Sequence, residues 1–155
     1  MPGFGGDVIE IVEGLWRAVF DVPVVSADPA RIVGQRATAW AGVVHLSGAW
    51  NGSVAIQCPE SLVRRMAASS LGGGGLNPSP DQQRRALGEL TRMLAEALKI
   101  LLPEPCRLSA PETVVDTAFR LRLPAAAPVL QSVFCDAEEV FSVTIFQRLT
   151  AETTR

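Results

Sequence analysis

Residues 81–102 read DQQRRALGELTRMLAEALKILL, and this run constrains the fold more than any other part of the chain. Leu87, Leu90, Leu94, Ala97, Leu98 and Leu101 recur every three or four residues, the spacing that stacks side chains on one face of an α-helix. Arg85, Glu89, Arg92, Glu96 and Lys99 repeat with the same period on the opposite face, alternating in sign. The pattern predicts a helix over 81–102 with one face in a core and a charged ridge facing water or a partner. As a solvated face, that ridge needs no function. Arg85–Glu89, Glu89–Arg92, Arg92–Glu96 and Glu96–Lys99 all have the i,i+3 or i,i+4 spacing of weak helical ion pairs. Gly88 lies inside the helix, where glycine costs about 1 kcal/mol relative to alanine. It marks a close approach, by another molecule's backbone or by a packing contact within this chain.

The flanking sequence supplies the other elements. Asp7 is placed to cap a helix whose apolar positions are Val8, Ile11, Val12, Leu15, Trp16 and Val19, ending at Phe20 before Pro23. A strand is expected over 37–47. Asn51-Gly52 then reads as a two-residue type I′ turn, with the return strand over 53–58. Pro59-Glu60-Ser61 opens a shorter helix with Leu62, Met66 and Leu71 inward. Four glycines at 72–75, with Asn77, Pro78 and Pro80, form a connector. They follow a helix and lack a Gly-Lys-Ser/Thr ending, so they do not read as a phosphate loop. Strands are expected over 113–123, 129–135 and 140–147. The last should be half-buried, since Phe141, Val143 and Ile145 alternate with Ser142, Thr144 and Phe146. Residues 136–139 form the intervening hairpin loop, with Glu138 and Glu139 at a solvated tip. The expectation is an α+β fold: an antiparallel sheet of paired strands, two long helices and one shorter helix, with weak internal duplication, in a single domain over 1–155.

Composition removes several classes of function. The formal net charge is −2, with 14 Lys and Arg against 16 Asp and Glu, so there is no electrostatic footprint for nucleic acid. No window of 18 apolar residues exists to span a membrane, and the start of the sequence has no signal-peptide pattern, so the expected location is cytoplasmic. Cys58, Cys106 and Cys135 are odd in number and widely spaced, which reads as reduced thiols rather than a disulfide framework or zinc site. With one histidine and scattered acids, no metal or other cofactor is expected.

Two arrangements remain for nucleophilic chemistry. A two-residue turn at Asn51-Gly52 would set His45 directly opposite Cys58, a nucleophile–base pair in principle. Both would lie mid-strand without a third orienting group, so a packed pair is the better reading. A Ser-His-acid triad has no GxSxG elbow to support it.

Three segments carry a resemblance to a known family. Residues 46–56, LSGAWNGSVAI, followed by Pro59-Glu60, resemble the first hairpin of the CheX-like branch of the bacterial chemotaxis phosphatases, the CheC/CheX/FliY group. Residues 87–95, LGELTRMLA, resemble that family's signature helix. Residues 108–115, with Pro111 before Thr113-Val114-Val115, resemble a third segment, and the similar order covers about residues 8–147. The resemblance implies a protein that removes phosphate from the aspartyl phosphate of a response-regulator receiver domain, docking through the signature helix. An acidic residue on that helix contacts the receiver's lysine, and an asparagine three positions later orients the attacking water. Any magnesium would be the receiver's own.

Glu89 occupies the acidic position and Arg92 the asparagine position. This departure changes the chemistry. An amide both donates and accepts hydrogen bonds, whereas a guanidinium has five donors, no acceptor and a permanent charge. Arg92 can grip a phosphoryl oxygen but cannot accept a hydrogen bond from water. Asn51 and Asn77, the only asparagines, fall in turns. The first helix offers Glu13 with Trp16 three later, so it holds no second acid–amide pair, while Gln82 is a remote source of an amide. The sequence therefore favours a receiver-docking domain with weak or no phosphatase activity, its binding ridge formed by Arg85, Gly88, Glu89, Arg92 and Glu96 and its candidate catalytic residue Glu89. The alternatives are an active phosphatase using Glu89 and a structural homodimer joined through sheet edges and Trp40 or Trp50.

Overall fold

The structure, a computed structural model, describes residues 4–33, 39–70, 77–115, 118–136 and 139–149. Among them, three helices pack together over one face of a seven-stranded antiparallel sheet, and a fourth, short helix contacts its last strand. Helix α1 (Phe4–Phe20) starts one turn before the expected cap, so Asp7 lies in its first turn, where it complements the helix dipole. Its buried residues Val8, Val12 and Trp16 enter the core. Trp16 stacks on Phe141 at 4.3 Å between centroids and donates its indole N–H to the buried Asp136 carboxylate at 2.9 Å. Strand β1 (Val25–Ala27) and helix α2 (Ala30–Val33) follow, neither of them expected from the sequence.

Strands β2 (Ala39–Gly48) and β3 (Gly52–Pro59) form the anticipated hairpin, but with a different register. His45 pairs with Ser53, and Cys58 pairs with Trp40. The turn is not the two-residue Asn51-Gly52 type. It spans Ala49 to Asn51 and reverses at Gly48, whose φ of +133° is one that side-chain-bearing residues rarely adopt. Asn51 braces it by accepting from the Gly48 N–H and donating to the Gly48 carbonyl, each at 3.2 Å. Two contacts displace the expected turn. The Trp50 ring lies over Gly52, where a Cβ would meet it at 2.3 Å. Strand β4 (Cys106–Leu108) pairs with Leu46 to Gly48 and holds that end of β2 extended.

Helix α3 (Glu60–Ser70) buries Leu62, Val63, Met66 and Ala67; Leu71 and the four glycines lie outside the described residues. Helix α4 (Pro80–Leu98) crosses the sheet over β2 and passes into a 3₁₀ turn at Lys99–Leu101. Among the described residues, strand β5 (Glu112–Val114) is all that forms of the strand expected over 113–123. Strands β6 (Ala126–Asp136) and β7 (Glu139–Arg148) make the closing hairpin, with a register shift between Pro128 and Leu130. The sheet order is β1-β6-β7-β3-β2-β4, and β5 also pairs with β2.

The sequence alternation in β7 predicted one buried face, yet Val140 to Phe146 are buried throughout. The cause is the segment before β6, which lies on the sheet face opposite the helices. Leu121 and Leu123 pack there on Val43, Ala55 and Phe146, and the Leu121 N–H donates to Gln57 Oε1 at 3.1 Å. That role keeps residues 119–123 out of the ladder. Glu139 is also no solvated tip: it accepts from Arg65 Nε at 2.9 Å and from the Ser61 hydroxyl, while Glu138 lies outside the described residues.

Candidate functional site

The charged ridge is carried by α4, whose start is fixed by a side-chain cap. Ser79 caps α4 by accepting from the Gln82 N–H at 3.2 Å, and Gln82 Oε1 accepts from the Ser79 N–H at 2.8 Å. Pro80 at the first position and Asp81 in the first turn complete a capping box with a favourable dipole. Gln82 is thus committed to the cap and does not supply an amide to the ridge. Leu87, Leu90, Thr91, Leu94, Ala95 and Leu98 are buried, fixing the rotation of the helix about its axis. Arg85, Glu89 and Glu96 are then left exposed, with Arg92 and Lys99 half-exposed.

One pair of the expected ladder forms. Arg92 donates from Nη2 to Glu89 Oε1 at 2.5 Å and from Nε to Oε2 at 3.4 Å. The Glu89 and Arg92 side chains keep 55% and 43% of their surface exposed, so both stand open to solvent. Among the described residues Arg85, Glu96 and Lys99 enter no ion pair. The Arg92 hydrogen bond holds the Glu89 carboxyl below the usual carboxylate range, and Glu89 in turn raises Arg92. The sign follows: stability from this pair is present above the ordinary carboxylate pKa and fades as pH falls through the lowered one. Solvent screening keeps that contribution small. The pair is visible as a titration instead. Arg92→Asn is expected to move the Glu89 side-chain carboxyl ¹³C midpoint upward, and an unmoved midpoint would show that the two groups do not interact in solution.

Gly88 does not belong to the exposed ridge. It is buried against Pro111, and a Cβ there would meet Pro111 Cγ at 3.4 Å, an ordinary contact, so packing buries this position without requiring a glycine.

Comparison with known proteins places this geometry. The family model described as chemotaxis phosphatase CheX matches residues 40–135, from β2 to the end of β6. The chain belongs to the CheX family. The structure of CheX from Vibrio vulnificus is similar at a TM-score of 0.73, with 17% identity over 93% of this chain and 96% of that one. CheX from Desulfovibrio desulfuricans gives 0.70, with 13% identity over 92% and 97%. The CheX-CheY-BeF3-Mg²⁺ complex from Borrelia burgdorferi gives 0.67, with 10% identity over 92% and 97%. At these identities the likeness concerns the fold. No curated protein sequence matches the chain.

The remaining candidate residues lie apart from the ridge. His45 and Cys58 are not paired. His45 lies on the sheet face away from the helices, with Nδ1 2.6 Å from Ser53 Oγ and Nε2 3.0 Å from Glu112 Oε2. Those partners follow from a register that no local signal announced. Cys58 is fully buried in the core, and burial pushes its thiol far above the ordinary range, which keeps it protonated and unreactive. Trp40 is only 6% exposed, with the Arg84 guanidinium 6.0 Å from its ring centroid, so it does not offer the interface surface expected of it. Trp50 is half-buried. Trp16, three residues after Glu13, is a core side chain. Among the described residues no His, Cys, Asp and Glu cluster could hold a metal ion, and no helix is long and apolar enough to cross a membrane.

The sequence reading missed a feature beside Glu89. A groove of about 300 Å³ separates α3 from α4, lined by Ala67, Ser70, Gln82, Arg85, Ala86 and Glu89. Ala67 and Ser70 carry no chemical signature, and only the packing of α3 against α4 brings them to the ridge.

Proposed function

We propose that this CheX-family chain docks phosphorylated response-regulator receiver domains through Glu89 and Arg92, and holds the aspartyl phosphate with little or no hydrolysis. The observation that carries the reading is the accessibility of this pair on a helix whose opposite face is locked to the sheet. The Borrelia burgdorferi complex, CheX with CheY, BeF3 and Mg²⁺, supports the class of partner.

Docking then consists of an exchange of ion-pair partners. In the free chain Arg92 is held by Glu89. An incoming phosphoryl group competes for the guanidinium, whose planar donors suit phosphate oxygens. Glu89 is released to meet the receiver's lysine. Hydrolysis further needs a water aligned in line with the phosphorus. Arg92 cannot accept a hydrogen bond from that water, so the same contact that strengthens binding leaves it unaimed. Magnesium in such a complex is the receiver's, and the encounter takes place in the cytoplasm, in chemotaxis or a related two-component pathway.

The test is calorimetric titration of purified receiver domains from the same organism, each loaded with beryllofluoride and Mg²⁺. Saturable binding to at least one receiver is expected, weakened at least about tenfold by Glu89→Lys, which reverses a charge at the interface. Failure of the wild-type chain to bind any of them would end this reading.

A further inference from the structure

We infer that the groove between α3 and α4 is the second half of this docking surface and receives an apolar side chain of the receiver, flanked by a carboxylate about one helical turn away. The inference rests on the docking reading above and deepens it by naming what a receiver must present.

The groove is continuous with the proposed contact, because Glu89 is one of its walls. Its depth follows from side-chain size. Ala67, Ser70 and Ala86 are all short, and they leave a cavity of about 300 Å³ where longer residues would close the gap. Ala67 is 1% exposed and makes an apolar floor. An anchor side chain entering such a pocket removes apolar surface from water on both partners, the usual source of strong local binding energy.

Charge selects what accompanies the anchor. Glu89 and Arg85 lie one turn apart on the same wall of the groove. On docking Glu89 is taken up by the receiver's lysine, whereas Arg85 enters no ion pair among the described residues. The charge still open at the groove is therefore positive. Opposite it, a carboxylate gains an exposed pair, and a lysine or arginine meets repulsion. That asymmetry acts through partner choice and association rate more than through raw affinity. A receiver with a bulky apolar side chain and a nearby acid fits this rim. One with a basic residue in that place is rejected, even though its phosphorylated aspartate satisfies Arg92 equally well.

The experiment extends the same titrations with beryllofluoride-loaded receivers. Ala86→Met fills the groove while leaving the Glu89 and Arg92 side chains in place, and is expected to weaken binding at least about tenfold. Arg85→Glu is expected to weaken it by about threefold or more, with a reduced association rate, while Arg85→Lys keeps most of the affinity. Circular dichroism melts check each fold, and the exposed Arg85 variants decide the matter if Ala86→Met fails to fold. If both Ala86→Met and Arg85→Glu bind within about twofold of wild type while Glu89→Lys abolishes binding, the groove has no part and the ridge alone docks. If the wild-type chain binds no receiver, the groove and the ridge fall together.

Discussion

Arg92→Asn is expected to raise receiver dephosphorylation by about ten- to a hundredfold over the wild-type chain, the range that alignment of a reacting group commands. The substitution removes a cation that holds Glu89 and installs an amide that both donates to and accepts from water. It sits on the solvent side of α4, with Thr91 and Leu94 beside it still buried, so the helix keeps its seat. Glu89→Ala in the Arg92→Asn background should return the rate to that of the receiver alone, because the lysine contact is then lost. Phosphate release from acetyl-phosphate-loaded receivers measures all three chains. A wild-type chain that already accelerates release, and slows on Arg92→Asn, would make Arg92 part of a working catalyst.

The second large effect concerns stability. Gly42 in β2 faces α4, and a Cβ added there would lie 2.0 Å from Thr91 Oγ1 and 3.3 Å from Leu87 Cγ. Thr91 cannot swing away freely. It is fully buried, and its hydroxyl donates to the Leu87 carbonyl at 2.7 Å. Gly42→Ala must lift the helix or force a rotamer, at about 1–3 kcal/mol for overpacking of this kind. The reduced entropy of the unfolded chain returns only about 0.4–1 kcal/mol. Urea melts should register the net loss. Thr91→Ala removes the obstructing hydroxyl, so the double variant should recover stability beyond additivity. Additive losses would place the clash elsewhere. Lifting α4 also moves the ridge, and receiver binding should weaken in step with stability.

What the sequence revealed depends on how local each signal was. Helix α4 was legible nearly to its ends because its apolar and charged periods lie in one continuous run; its last turn tightened into 3₁₀ form. The β6–β7 hairpin was legible for the same reason. The β2–β3 turn was not. Asn-Gly is a strong local signal, but Trp50 packing over Gly52 and the pairing of β4 with the end of β2 outweigh it. With that turn went the proposed opposition of His45 and Cys58. Strands β1 and β4 have three residues each and exist only through their neighbours, so no periodicity could disclose them, while β5, equally short, falls at the start of the longer strand expected over 113–123. Glu89 and Arg92 were placed on an exposed face by period alone. Gly88 was not separable from them in sequence, since burial by Pro111 depends on a chain reversal more than twenty residues on.

One margin of the sheet carries its own safeguard. Strand β1 covers only Val133 to Cys135 of β6, so among the described residues the stretch from Ala126 to Ser132 has no outer neighbour. Pro128 lacks an amide proton, and the slip in register beside it bends the strand just where Val129 stands exposed. Backbone groups along this rim are thereby out of step with any straight strand laid against them. Unwanted end-to-end stacking of copies into fibrils is discouraged there by backbone geometry, without recourse to a row of lysines.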